Sequence, residues 1–184
     1  PLPSQAEALA CFTAMSDKVY PAFAGVLGGQ KPTIKVRDMT SRWGVCYMKR
    51  RQITFSLQLY NMPPAAQIYV VVHEYCHFLQ PNHSPAFWAE VEKLLLQSGA
   101  DLDCDMMTMG HHGSSTSSTQ EYLDAVTPEY ASISCGKGNK YNHPHKETIQ
   151  KLEQMDVEYY RTDLSGNITF TSDGSSISVR TEKP

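Results

Sequence analysis

Apolar and polar positions follow two grammars along the chain. Between residues 4 and 27, Leu9, Phe12, Met15, Tyr20, Phe23 and Leu27 recur at helical spacing. This predicts a helix bent or broken at Pro21, with Gly28-Gly29 as its stop. Short strand-like runs follow at 33–36, 43–48 and 53–59. In the last, Ile53, Phe55, Leu57 and Leu59 alternate with Thr54, Ser56 and Gln58, the pattern of a half-buried strand. Residues 65–79 are hydrophobic nearly all round, as a buried helix would be, and Pro81 stops them. Ser84-Pro85 then offers an N-cap hydroxyl and a first-turn proline to a helix whose core stripe is Phe87, Trp88, Val91, Leu94 and Leu95, with Gly99 at its end.

After Gly99 the pattern becomes strand, loop, helix, strand. Strands are expected at 104–109, 130–135 and 157–160, helices at 120–126 and 144–155, and a hairpin at 168–171 and 175–179 across Asp173-Gly174. The fold class expected is α+β. Residues 1–97 would form a small domain of helices plus a short sheet, and residues 98–184 an α/β half-layer.

Composition narrows the classes of function. The 184 residues are 41% hydrophobic with a net charge of -3, enough apolar material for a core. No run of about 18 apolar residues predicts a membrane segment. Five scattered cysteines without a CxxC pair argue against a disulfide framework or an all-cysteine metal site, and they suit a reducing, cytoplasmic setting. Residues 1–98 are net +3 and residues 99–184 net -6, so neither half is basic enough to demand nucleic acid.

The chemistry concentrates in His73-Glu74-Tyr75-Cys76-His77, an HExxH pattern inside the apolar helix. Four residues turn a helix by about 400°, so His73 and His77 stack on one face and can grip one cation. Imidazoles suit zinc, and a catalytic zinc keeps three protein ligands and a water. Glu74, about 100° from His73, can take the proton of that water. His83 is the third candidate ligand. It lies about 240° off the helix face, so the chain must turn back, and Pro81 forces the turn. A core-histidine reading of the same residues leaves polar groups in an apolar helix without partners, which is costly.

Residues 33–95 resemble the YgjP-like (WLM and SprT-related) minimal zinc metallopeptidases. The resemblance runs through the stretch from Lys35 to Asp38, Ser41-Arg42-Trp43-Gly44-Val45-Cys46, the segment around His73, and Asn82-His83-Ser84-Pro85-Ala86-Phe87-Trp88. It implies a zincin-like domain acting on protein or peptide substrates, with one zinc ion on His73, His77 and His83 and Glu74 as general base. It also implies an intracellular setting and relatives that act on proteins near DNA. Arg42 and Tyr75 are candidates for stabilising an oxyanion. Arg42 and Trp43 read either as strand and core packing or as cleft lining.

Residues 98–184 resemble the last part of the metallo-β-lactamase-fold domain of ComEC-type DNA-internalisation proteins, through His111-His112-Gly113-Ser114, Ile133-Ser134-Cys135-Gly136-Lys137, His143-Pro144-His145 and Tyr160-Arg161-Thr162-Asp163. The HxHxDH motif that founds the two-metal site of that fold is absent from the sequence. His111 and His112 are therefore secondary candidates only, and His143 is expected to help cap the helix after it. A nearly whole peptidase core joined to half of another domain, whether a natural fusion or a gene-model product, predicts an uncovered apolar face in the second half and self-association through it. The rival functions are a metallo-β-lactamase-like hydrolase or nuclease of the DNA-uptake type, and a non-catalytic fusion with a structural zinc.

Overall fold

The computed structural model describes residues 2–184, and its secondary structure is α+β throughout. Two compact units result, Pro1–Leu102 and Asp103–Pro184.

The first unit opens with α1 (Gln5–Val19), started by a capping box in which the Ser4 hydroxyl accepts from the Glu7 N–H and the Glu7 carboxylate accepts from the Ser4 N–H. The helix gives way at Pro21 to a 3₁₀ turn, Tyr20–Phe23. Ala8, Phe12 and Val19 are buried along α1, and Phe12 packs its ring 5.0 Å from that of Phe55. Strands β1 (Thr33–Arg37), β2 (Gly44–Tyr47) and β3 (Gln52–Ser56) form a sheet in the order β1-β3-β2. β3 runs parallel to β1 and antiparallel to β2.

Two expectations change here. The strand read over 53–59 ends at Ser56, and Leu57–Asn61 is a 3₁₀ turn capped by the Ser56 hydroxyl, which accepts from the Gln58 N–H. Leu57 and Leu59 still reach the core from that turn. The face expected to meet solvent is closed as well: Thr54 and Ser56 are buried because β3 is the central strand and the Ser56 hydroxyl donates to the Met39 carbonyl.

Two helices complete the unit, α2 (Pro64–Cys76) and α3 (Pro85–Gln97). The Gln67 side chain ties the start of α2 to the preceding turn by donating to the carbonyls of Tyr60 and Met62. α2 ends three residues before the limit expected from hydrophobicity. Proline at 81 excludes a helical bond to the His77 carbonyl, so residues 77–80 tighten into turns, with N–H groups of Phe78, Leu79 and Gln80 returning to Tyr75 and Cys76.

The second unit holds β4 (Met106–Thr108), α4 (Gln120–Val126), β5 (Tyr130–Ile133), α5 (Lys146–Gln154), β6 (Glu158–Arg161), a short α6 (Thr162–Ser165) and the hairpin β7 (Ile168–Ser172) and β8 (Ile177–Thr181). β4, β5 and β6 form a parallel sheet in sequence order. Met107, Ala131 and Ile133 are buried with Leu123 and Val126 of α4 and Leu152 of α5. The alternate positions differ from expectation. Thr108 and Ser132 share a hydroxyl hydrogen bond of 2.9 Å, and Phe170 of the hairpin packs against Tyr130 and Tyr160. The face expected to lie open and apolar thus carries the Thr108 and Ser132 hydroxyls and meets the Phe170 ring of the hairpin.

Candidate metal centre

The fold brings His73, His77 and His83 together. His73 lies in the last turn of α2, and His77 follows as its C-cap with φ -63° and ψ -19°, still helical enough to stack one turn beyond. His83 sits just before α3, where the Ser84 hydroxyl accepts from the Phe87 N–H and fixes the entry of the chain. One ligand atom from each of the three imidazoles lies within 4.8 Å of the others. Their ring centroids form a nearly equilateral triangle, with sides of 5.1, 4.9 and 4.9 Å.

Aromatic packing holds this triangle from behind. The Phe87 ring lies 4.9 Å from His73 and 4.8 Å from both His77 and His83. Trp88 stacks on His83 at 5.6 Å. Both belong to the core stripe expected of α3, and their place at the start of that helix, next to His83, is the one signal in the sequence of a role in the site.

The donor chemistry suits a cation. The His77 Nδ1–H donates to the Gln80 carbonyl at 3.2 Å, which orients the ring and leaves Nε2 as the lone-pair nitrogen. The Nε2 atoms of His73 and His83 approach to 3.0 Å, a separation at which two imidazole nitrogens share a proton or a cation. His73 Nδ1 is buried without a hydrogen-bond partner. Burial, with the two neighbouring imidazoles, pushes His73 down to about 4, and burial lowers His77 in the same direction. Both are therefore neutral at physiological pH, the form that binds a metal.

Glu74 lies beside the triangle, 6% exposed. Burial pushes its carboxyl up to about 7, against the opposing pull of the Cys46 backbone N–H and the Arg42 charge. A cleft of about 440 Å³ joins these groups, bounded by Arg42, Gly44, Cys46 and Met48 on one side and by the three histidines and Glu74 on the other.

The secondary candidates separate. Arg42 lines the cleft. Trp43 is 44% exposed and outside the core, because it precedes the edge strand β2. Tyr75 is fully buried and turned away, its hydroxyl 2.5 Å from that of Ser16 on α1. Two residues beyond His73 is about 200° of helix, which points Tyr75 to the opposite side.

In the second unit, His111, His112 and His143 form a wider group, with ring centroids 5.4 to 6.4 Å apart. The His112 Nδ1–H donates to the Ser134 carbonyl at 2.7 Å. His145 is the N-cap of α5, a place expected for His143. Its Nδ1 accepts from the Ser115 N–H at 3.0 Å, and its Nε2 lies 3.2 Å from the Tyr141 carbonyl. Among the described residues, only the first triangle brings three donor atoms to the separation one ion requires.

Residues 7–97 match the model of the YgjP-like, metallopeptidase domain family. The first unit is similar to the YgjP-like metallopeptidases. That likeness supports a peptidase reading, and with it a bound metal and peptide substrates. A solved structure, the metallopeptidase zymogen abylysin of Pyrococcus abyssi, is 28% identical over 43% of this chain and 77% of its own, with a TM-score of 0.36. Among curated proteins, the chain is 35% identical over 81 residues to ComE operon protein 3 of Bacillus subtilis and 40% identical over 79 residues to competence protein ComA of Neisseria gonorrhoeae. These matches cover 44% and 43% of this chain, and the chain spans only about a tenth of the length of those relatives, 10% and 11%. Both resemblances read from the sequence therefore have counterparts among known proteins. No helix is long and apolar enough to cross a membrane among the described residues.

Proposed function

We propose that the first unit is a zinc-dependent peptidase in which His73, His77 and His83 hold a single zinc ion and Glu74 is the general base. The observation that carries this reading is the convergence of three imidazole donors within 4.8 Å beside a buried carboxylate. When bound, zinc supplies a Lewis acid that polarises a carbonyl and acidifies water.

The chain's own groups then have distinct tasks. Glu74 takes a proton from the water that attacks the peptide carbonyl and returns it to the leaving amine nitrogen. A base whose pKa lies near the working pH does both efficiently. The Cys46 N–H holds that carboxylate in place. The Gln80 carbonyl orients His77, while Phe87 and Trp88 exclude water from the rear of the imidazoles and limit their rotation. Arg42 brings a positive charge to the cleft, where an oxyanion would benefit from it. Tyr75 has no part in this scheme, since its hydroxyl is committed to Ser16.

The test is hydrolysis of a protein substrate by the parent and by Glu74→Gln at equal zinc content. Loss of turnover with zinc retained supports the assignment. Equal turnover by both removes Glu74 from the mechanism.

A further inference from the structure

Gly44 stands in β2 where nothing in the backbone calls for glycine. Its φ is not in the left-handed region, unlike those of Gly28, Gly29, Gly99 and Gly113. Glycine also weakens a strand, because it adds backbone entropy to the unfolded chain and packs no side chain. The reason lies on another element. A Cβ at position 44 would sit 2.7 Å from Cγ, 2.8 Å from Oε1 and 2.9 Å from Cδ of Glu74. Real Cβ atoms essentially never come within 3.0 Å of a heavy atom, so something would have to shift.

Glu74 has little room to yield. It is almost wholly buried on α2, and its carboxylate accepts from the backbone N–H of Cys46, two residues along the same strand. β2 is an edge strand whose other side pairs with β3, so its position is set by that ladder. One strand thus supplies both halves of a seat, a gap at residue 44 and a donor at residue 46. By contrast, a Cβ at Gly25 or Gly136 would meet nothing within 4 Å.

We infer that Gly44 is a positioning residue for Glu74: the missing side chain is the slot in which the carboxylate lies, and any larger residue displaces it from the cleft. This inference rests on the peptidase reading for its consequence in catalysis, but the steric coupling stands without it.

The experiment is a double-mutant cycle of Gly44→Ala and Glu74→Ala, read by thermal unfolding of the metal-free full chain and by zinc content. Gly44→Ala alone should lower the unfolding midpoint by about 5 °C. In the Glu74→Ala background, where the crowded atoms are gone, the same substitution should cost no more than about 1 °C. Zinc content should stay at the parent level in Gly44→Ala, since the three atoms nearest the added Cβ all belong to Glu74 and none to an imidazole. Turnover by Gly44→Ala should fall about 100-fold with KM nearly unchanged, the effect of misplacing a reacting group by about an ångström. Equal destabilisation in both backgrounds would overturn the inference, as would full turnover by Gly44→Ala when Glu74→Gln is inactive. If Gly44→Ala fails to fold, recovery of a folded chain in the double variant supports the coupling, and failure to recover rejects it. Unchanged turnover by Glu74→Gln, with the thermal coupling present, would instead fault the catalytic reading alone.

Discussion

The two histidine groups of this chain show how little the count of imidazoles decides. In the first unit, three rings lie 4.9 to 5.1 Å apart against one phenylalanine, with a ligand atom of each within 4.8 Å of the others. In the second, the rings of His111, His112 and His143 spread to 5.4–6.4 Å, Nδ1 of His112 meets the Ser134 carbonyl, and the two nitrogens of His145 meet Ser115 and the Tyr141 carbonyl. One group has donors left over and a buried acid beside it. In the other, His112 and His145 bond to the surrounding loops at Ser134, Ser115 and Tyr141. The difference is one of convergence: His77 and His112 each donate Nδ1–H to a backbone carbonyl, but among the described residues only the first group brings a ligand atom from each ring within 4.8 Å of the others.

The strongest way to break this contrast is to remove a ring from each group. His77→Ala should abolish peptide hydrolysis, whereas His112→Ala should leave it within about twofold of the parent, because His112 is not among the three convergent imidazoles and belongs to the second unit. A comparable loss in both variants, measured on the same substrate, would mean the groups work together.

Glu74→Gln comes next, with an expected fall in kcat of about 10²–10⁴. The same carboxylate sets the pH profile. Its pKa is raised to about 7 by burial, so protons fill it as pH falls and the base is lost. The logarithm of kcat/KM should therefore decline below about pH 7, and a profile flat down to pH 5 would count against Glu74.

Much of the site is legible in the sequence because the helix period fixes it. His73 and His77 stack at a separation of four residues, and Pro81 requires the turn that returns His83. The same period also gives the direction of Tyr75, at about 200° from His73, so helical geometry alone argues against its candidacy for the oxyanion. Gly44 is not legible, since its reason lies in a side chain thirty positions away. Trp43 misleads for a related cause: its size suggests burial, but it lies before an edge strand where no layer covers it. In β3 the alternation is correct up to Ser56, and only the central place of the strand, invisible to local pattern, buries its polar face.

The contrast sharpens at the supporting residues. Phe87→Ala should destabilise the first unit by about 3–5 kcal/mol, as expected for deleting a fully buried ring, and weaken zinc retention because the three imidazoles lose their common support. Calorimetry with metal analysis would check both. The smallest effect belongs to the second group. His145→Ala removes an acceptor of the Ser115 N–H and should cost about 1 kcal/mol of stability without altering metal content.

Metal content per chain, determined on the purified protein and on His73→Ala and His111→Ala, probes the central claim most directly. One equivalent of zinc in the parent, lost from His73→Ala and kept in His111→Ala, is the predicted result. Two equivalents in the parent, or one that survives His73→Ala, would contradict it.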